Sequence, residues 1–208
     1  MTTELAANMK QWLFNPFIYI AGSRALSIGV IGALLSALIN TYSNTHFDGA
    51  LDVHFHVQRN IKVPIAENII SLLSLWIAFL LIAKFFTKSS FRIIDLFGTV
   101  ALARLPLILL SLLGFLPFHK LVSDYAKKAI LQSGESIDFS NLDLSLMAAM
   151  GVVTIVISAW MIALLYNAYG ISTNLKGTKR WLSFVIGLIV AEIISKIILS
   201  YTYPILMG

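Results

Sequence analysis

Apolar residues in this chain fall into five long runs separated by short polar segments. The runs cover about residues 17–42, 65–86, 93–118, 144–166 and 181–203. Each has the ~20 mainly apolar residues that an α-helix needs to cross a ~30 Å hydrocarbon core. The pattern predicts an all-α, polytopic membrane protein with five transmembrane helices. Ahead of them, Leu5, Met9, Trp12 and Leu13 recur at helical spacing with a polar back. That spacing predicts a short interfacial helix over residues 4–14, inside an amino-terminal segment 1–16, and Asn15-Pro16 ends it. Span 2 follows Pro64, a residue that a first helical turn tolerates. Span 3 is interrupted by Asp95, Gly98, Arg104 and Pro106, so a broken or tilted helix is expected there.

Span 1 carries Ala25, Gly29, Ala33 and Ala37 at intervals of four. Small residues at that spacing let a second helix approach closely, which is how helices associate in lipid. Packing within the chain is the expected use, and homo-oligomerisation through this face is the alternative.

Composition agrees with the hydropathy pattern. The 208 residues are 58% hydrophobic and only 12% charged, against roughly a quarter charged in soluble domains. Mean hydropathy is +0.86. Lipid is therefore the main solvent, and one membrane domain over 1–208 is expected. There is no cysteine, which excludes disulfides, thiolate metal sites and cysteine nucleophiles. The net charge of +5 does not predict a nucleic-acid partner, because the basic residues sit at the ends of apolar runs instead of clustering. Glu4, Lys10 and Pro16 do not make a cleavable leader, so the first run is expected to be a retained anchor.

Charge asymmetry predicts the orientation. Lys10, Arg24, Lys84, Lys88, Arg92, Lys176, Lys179 and Arg180 lie on one side with the single acid Glu4. The other side carries Arg59, Lys62, Lys120, Lys127 and Lys128 against Asp48, Asp52, Asp124, Glu135, Asp138 and Asp143. The positive-inside rule then places the amino terminus inside and the carboxy terminus outside. Trp12, Tyr42, Tyr166, Trp181, Tyr201 and Tyr203 fall near span ends, where amphipathic rings settle.

Three of the four histidines lie in the external segment His46–His56. Asp52, His54, His56 and Gln58 alternate with Val53, Phe55 and Val57, which is strand periodicity. Alternatively, Asp48, Asp52 and His56 would line one helix face. Either arrangement gathers imidazole and carboxylate groups, the ligands of zinc and similar divalent ions, and His46 and Glu67 would complete a set of four. The competing readings are a solvated loop at the headgroup boundary and a pH sensor.

Ionisable residues inside the spans are the second constellation. Arg104 lies eleven residues after Ile93, and Glu192 eleven after Trp181. At 1.5 Å per residue both sit roughly 16 Å deep, and opposite signs at equal depth predict an Arg104–Glu192 pair. Lys196 is placed to meet Glu192 or Glu67, and Asp95 to meet Lys176, Lys179 or Arg180. Such groups either lock helices together or line an ion path. The loop 167–180, with Lys176, Lys179 and Arg180, is a candidate for anionic lipid headgroups. No P-loop, G-x-S-x-G, H-E-x-x-H or dinucleotide fingerprint occurs.

The five-span plan over about 12–203 resembles the Yip-type membrane proteins. The stretch Phe91-Arg92-Ile93-Ile94-Asp95-Leu96-Phe97-Gly98-Thr99-Val100-Ala101-Leu102-Ala103-Arg104-Leu105-Pro106 and the Tyr166–Lys196 turn into span 5 carry that resemblance. It is closest to the bacterial branch, the Bacteroidota proteins in particular. Eukaryotic members of the family bind Rab-type GTPases and carry a long cytosolic amino-terminal region, where this sequence has residues 1–16. The resemblance therefore implies the membrane plan and supplies no catalytic residues. The expected function is a non-enzymatic membrane protein that organises lipids or a protein partner, with an external divalent-cation site. Two alternatives stand beside it. One is an ion- or proton-coupled transporter or channel using Arg104, Glu192, Lys196 and the external histidines; the other is a metal-dependent membrane hydrolase.

Overall fold

A computed structural model describes residues 2–56, 60–87, 89–116 and 141–207. Helix α1 covers Thr2–Phe14 and is followed by a 3-10 turn at Pro16–Ile18. Helix α2 is Gly22–Ser43, and a two-residue hairpin, β1 Thr45–His46 and β2 His54–Phe55, follows it. The remaining helices are α3 Lys62–Phe86, α4 Ile93–Ala103, α5 Leu107–Leu113, α6 Asn141–Thr173 and α7 Gly177–Met207. Among the described residues, five segments are long and apolar enough to cross a membrane, with α4 and α5 together forming the third. The chain is an all-α, multi-pass membrane protein with a short amino-terminal helix. The charges expected at Arg59, Lys88, Lys120, Asp124, Lys127, Lys128, Glu135 and Asp138, and the far end of span 3, lie outside the described residues.

The break in span 3 falls where the sequence placed it. Pro106 has no N–H to give, so the ladder is interrupted one turn around it. The N–H groups of Arg104 and Leu105 bond three residues back, to Ala101 O and Leu102 O, both at 3.2 Å. Leu107 N–H then bonds Arg104 O at 2.9 Å, and α5 begins with Pro106 just ahead of it, where proline is tolerated.

Helix α2 lies along α4 and α5, α3 lies along α7, and α6 crosses α4. Close approach of α2 and α4 depends on glycine. A Cβ on Gly29 would run into the backbone of Ala101–Leu102, and one on Gly98 into the backbone of Gly22 and Leu26. The small-residue face of span 1 is thus used for packing inside the chain, with Ala25, Gly29 and Ala37 buried. Buried hydroxyl pairs add cross-helix hydrogen bonds, Ser36–Ser111 at 2.8 Å and Thr99–Ser172 at 2.7 Å, each worth about 0.6 kcal/mol in a membrane. Elsewhere the bundle meets lipid, with Val152, Ile155 and Val156 of α6 strongly exposed.

Spans 4 and 5 run further than the hydropathy pattern marks. The polar stretch expected as a loop at 167–180 is helical to Thr173 and again from Gly177. Asn174 and Gly177 turn the chain with φ of 57° and 58°, a conformation that Asn and Gly reach at low cost. The end of α6 beyond the apolar run is covered by protein, with Ala168, Tyr169, Ser172 and Thr173 buried.

Candidate functional site

Two constellations lie at opposite ends of the bundle. At the hairpin end, Asn44 takes a left-handed conformation (φ 56°) and ends α2. The chain then turns back as β1 pairs antiparallel with β2, Thr45 opposite Phe55 and His46 opposite His54. This is the strand reading of the histidine segment; the helical reading is not realised. The connecting loop is solvated only in part, with Asp48 and Asp52 partly exposed. Phe47, Gly49 and Ala50 are buried, so their backbone polar groups need partners inside the protein.

Helices α3 and α7 supply those partners. Glu67, fully buried on α3, accepts hydrogen bonds from Phe47 N–H at 3.1 Å, Tyr203 O–H at 2.9 Å and His46 Nδ1 at 2.8 Å. Ser71, one turn further along, donates to Gly49 O at 2.8 Å. From α7, Ser195 Oγ accepts Ala50 N–H at 3.1 Å and Glu192 Oε2 accepts Leu51 N–H at 2.9 Å. Gly49 lies against the Glu192 carboxylate with no room for a Cβ. The hairpin loop is therefore pinned between α3 and α7 by two carboxyls and two hydroxyls. With Glu67 accepting from two other donors, His46 Nδ1 is the protonated nitrogen by the logic of the network, and Nε2 is buried without a partner.

The six residues expected to share a metal ion are divided among separate partners. His46 pairs with Glu67, and His56 stacks on His46 with ring centroids 3.8 Å apart. His54 Nδ1 meets Asp48 Oδ1 at 2.7 Å on the surface. Asp52 forms an ion pair with Lys196. Among the described residues, no group of three or more such side chains is placed to hold one metal ion. Partial burial, and the His46 imidazole beside it, push the His56 pKa below the ordinary histidine value against the pull of Glu67.

The intramembrane charges also differ from expectation. No Arg104–Glu192 ion pair forms. Helix α7 begins at Gly177, so Glu192 lies fifteen residues along it and about a turn deeper than Trp181 implied. Its carboxylate is held instead by Leu51 N–H and, at 3.7 Å, by Lys196. Arg104 is only 5% exposed, at the break between α4 and α5, and neither terminal nitrogen has a hydrogen-bond partner. Asp95 pairs with Arg92 at 3.6 Å, within its own first turn, and not with the α6–α7 basic residues. Of those, Lys176 and Lys179 are exposed. Arg180 is turned inward: it lies 3.8 Å over the Tyr166 ring, donates to Tyr166 O and Asn167 Oδ1 at 2.8 Å each, and crosses Gly170. These contacts make it a clamp between α6 and α7.

At the basic end, helix α1 folds back onto the bundle. Trp160 Nε1–H donates to Leu13 O and Asn167 Nδ2–H to Phe14 O, both at 2.8 Å, while Trp12 stacks on Tyr19. Beneath α1 runs an apolar cavity of about 480 Å³, walled by Trp12, Ile20, Ile28, Leu102, Leu105, Pro106, Leu109, Trp160 and Leu164 among others. A second, polar cavity of about 310 Å³ lies between Ala21, Arg92, Asp95, Thr99, Ile171, Ser172 and Asn174.

Sequence reading passed over Tyr203, Ser71 and Ser195 as functional neighbours. A usable signal existed: Glu67 with Ser71 and Glu192 with Ser195 are polar pairs one helical turn apart in mainly apolar spans. No protein-family model matches the chain, and no curated protein or solved structure matches it.

Proposed function

We propose that this chain is a non-enzymatic protein of the bacterial inner membrane, amino terminus cytoplasmic and carboxy terminus external, that binds and organises lipid. One observation carries the reading: the apolar cavity of about 480 Å³ beneath α1 is within the size range of small-molecule sites. Its walls are apolar and two tryptophans flank it, as suits a hydrocarbon chain entering at the interface. The Yip-type resemblance supports the same non-enzymatic role. The test is native mass spectrometry of the detergent-purified protein, counting retained phospholipid. The paired substitution Ile28→Trp and Leu109→Trp, filling the cavity, is expected to lower the count by one lipid. An unchanged count removes the proposal.

A second reading is ion- or proton-coupled transport, favoured by the Arg104 guanidinium, buried within a span with neither terminal nitrogen hydrogen-bonded. Buried ionisable groups of this kind mark ion paths in other membrane proteins. Proton flux into liposomes that is lost in Glu192→Gln supports it, and absence of flux from wild-type protein removes it.

A further inference from the structure

We propose that the polar cavity at the basic end takes the headgroup of an aminophospholipid, a phosphate together with a primary ammonium, whose chain occupies the apolar cavity. The inference rests on the lipid-binding reading and adds the headgroup chemistry to it.

The two cavities share three walls: the segment before α2, helix α4 and helix α6. Thr99 of the polar cavity and Leu102 of the apolar one both lie on α4, while Pro106 and Leu109 of the apolar cavity lie at the break and on α5. On α6, Ile171 continues through Leu164 and Trp160, a spacing that keeps one helix face. The polar compartment therefore neighbours the apolar one along the same elements, a headgroup site beside a chain site.

Charge selects the headgroup. The polar cavity has one base, Arg92, and one acid, Asp95. Their closest approach is 3.6 Å, with Arg92 76% and Asp95 26% exposed. So loose a pair leaves the guanidinium donors and a carboxylate oxygen able to take further partners. Arg92 suits the phosphate, as guanidinium geometry does in general. Asp95 suits an ammonium and opposes a headgroup that is only anionic. A primary ammonium donates hydrogen bonds to a carboxylate, whereas a quaternary one cannot. Phosphatidylethanolamine therefore fits better than phosphatidylglycerol or phosphatidylcholine.

The experiment reconstitutes the full chain in nanodiscs of equal phosphatidylethanolamine, phosphatidylcholine and phosphatidylglycerol, then identifies the lipids retained by native mass spectrometry. Wild type is expected to keep phosphatidylethanolamine over each competitor by roughly threefold or more, the scale of a part-exposed ion pair. Asp95→Asn is expected to bring the three to parity by lowering retention of phosphatidylethanolamine. Arg92→Gln, at an exposed position that does not threaten folding, is expected to reduce retention of all three. Lipid retained without headgroup preference, or a preference that survives Asp95→Asn, overturns the headgroup assignment alone. No lipid of any kind retained overturns the cavity reading beneath it.

Discussion

Replacing Glu67 by leucine removes the acceptor on which three separate parts of the chain converge. His46 Nδ1, Phe47 N–H and Tyr203 O–H all point at this one carboxyl, from β1, the hairpin loop and α7, and both His46 and Glu67 are fully buried. Hydrogen bonds average about 0.6 kcal/mol in membrane proteins and about 1 kcal/mol in soluble ones. Losing three gives about 2–3 kcal/mol, and stranding buried donors adds about 1 kcal/mol or more. The total of about 3–4 kcal/mol is on the order of 5–15 °C in Tm for a chain this size. Glu67→Gln keeps one acceptor oxygen and the volume, so it is expected to lose less than half as much. Tyr203→Phe removes a single donor and leaves the carboxyl otherwise bonded, at about 1 kcal/mol. Intrinsic tryptophan fluorescence during thermal unfolding in mild detergent reads all three. The ordering Glu67→Leu, then Glu67→Gln, then Tyr203→Phe is the result to look for. Leucine as stable as wild type would show that the hairpin loop is not held by this carboxyl.

Four other outcomes follow from the same geometry. Because the His56 pKa is depressed, the unfolded chain takes up that proton first. The stability contribution is whole above the unfolded value near 6.5 and is lost as pH falls through the folded one. Wild type should therefore lose Tm on acidification from pH 7.5 to pH 5, and His56→Gln should lose less, measured by the same fluorescence. Arg104→Met should raise Tm or leave it unchanged, since a buried guanidinium with unpartnered nitrogens costs more than methionine in its place. Glu192→Leu should lower Tm, because Leu51 N–H and Lys196 lose their acceptor; equal losses in both variants would restore an Arg104–Glu192 pair. Gly29→Ala and Gly98→Ala should each cost about 2 kcal/mol or more, because the added Cβ meets backbone of the partner helix. Gly151→Ala, with open space around it, should be silent in the same detergent unfolding assay.

Much of the architecture could be read along the chain. Run length and charge deficit identify lipid as the solvent and set the number of spans, because the cost of exposing a polar backbone to hydrocarbon leaves few other solutions. Pro106 marked the break in span 3, since its missing N–H acts wherever it stands. Strand alternation in Asp52–His56 anticipated β2, and the Gly/Ala face of α2 anticipated a close helix contact. These are properties of a residue and its near neighbours. Partner choice is of a different kind. In lipid both faces of a helix are apolar, so periodicity does not reveal which face is buried or against what. That α3 and α7 clasp the hairpin loop, that Glu192 serves Leu51 and Lys196 instead of Arg104, and that Arg180 folds back on Tyr166 all depend on contacts between segments far apart in the chain. The histidine segment shows the difference most plainly: His54 and His56 are exposed as its polarity suggests, yet His46–Ala50 is largely buried because Glu67, Ser71 and Ser195 supply its hydrogen bonds. Where a polar group finds its hydrogen bonds is a property of the assembled bundle, and no local pattern contains it.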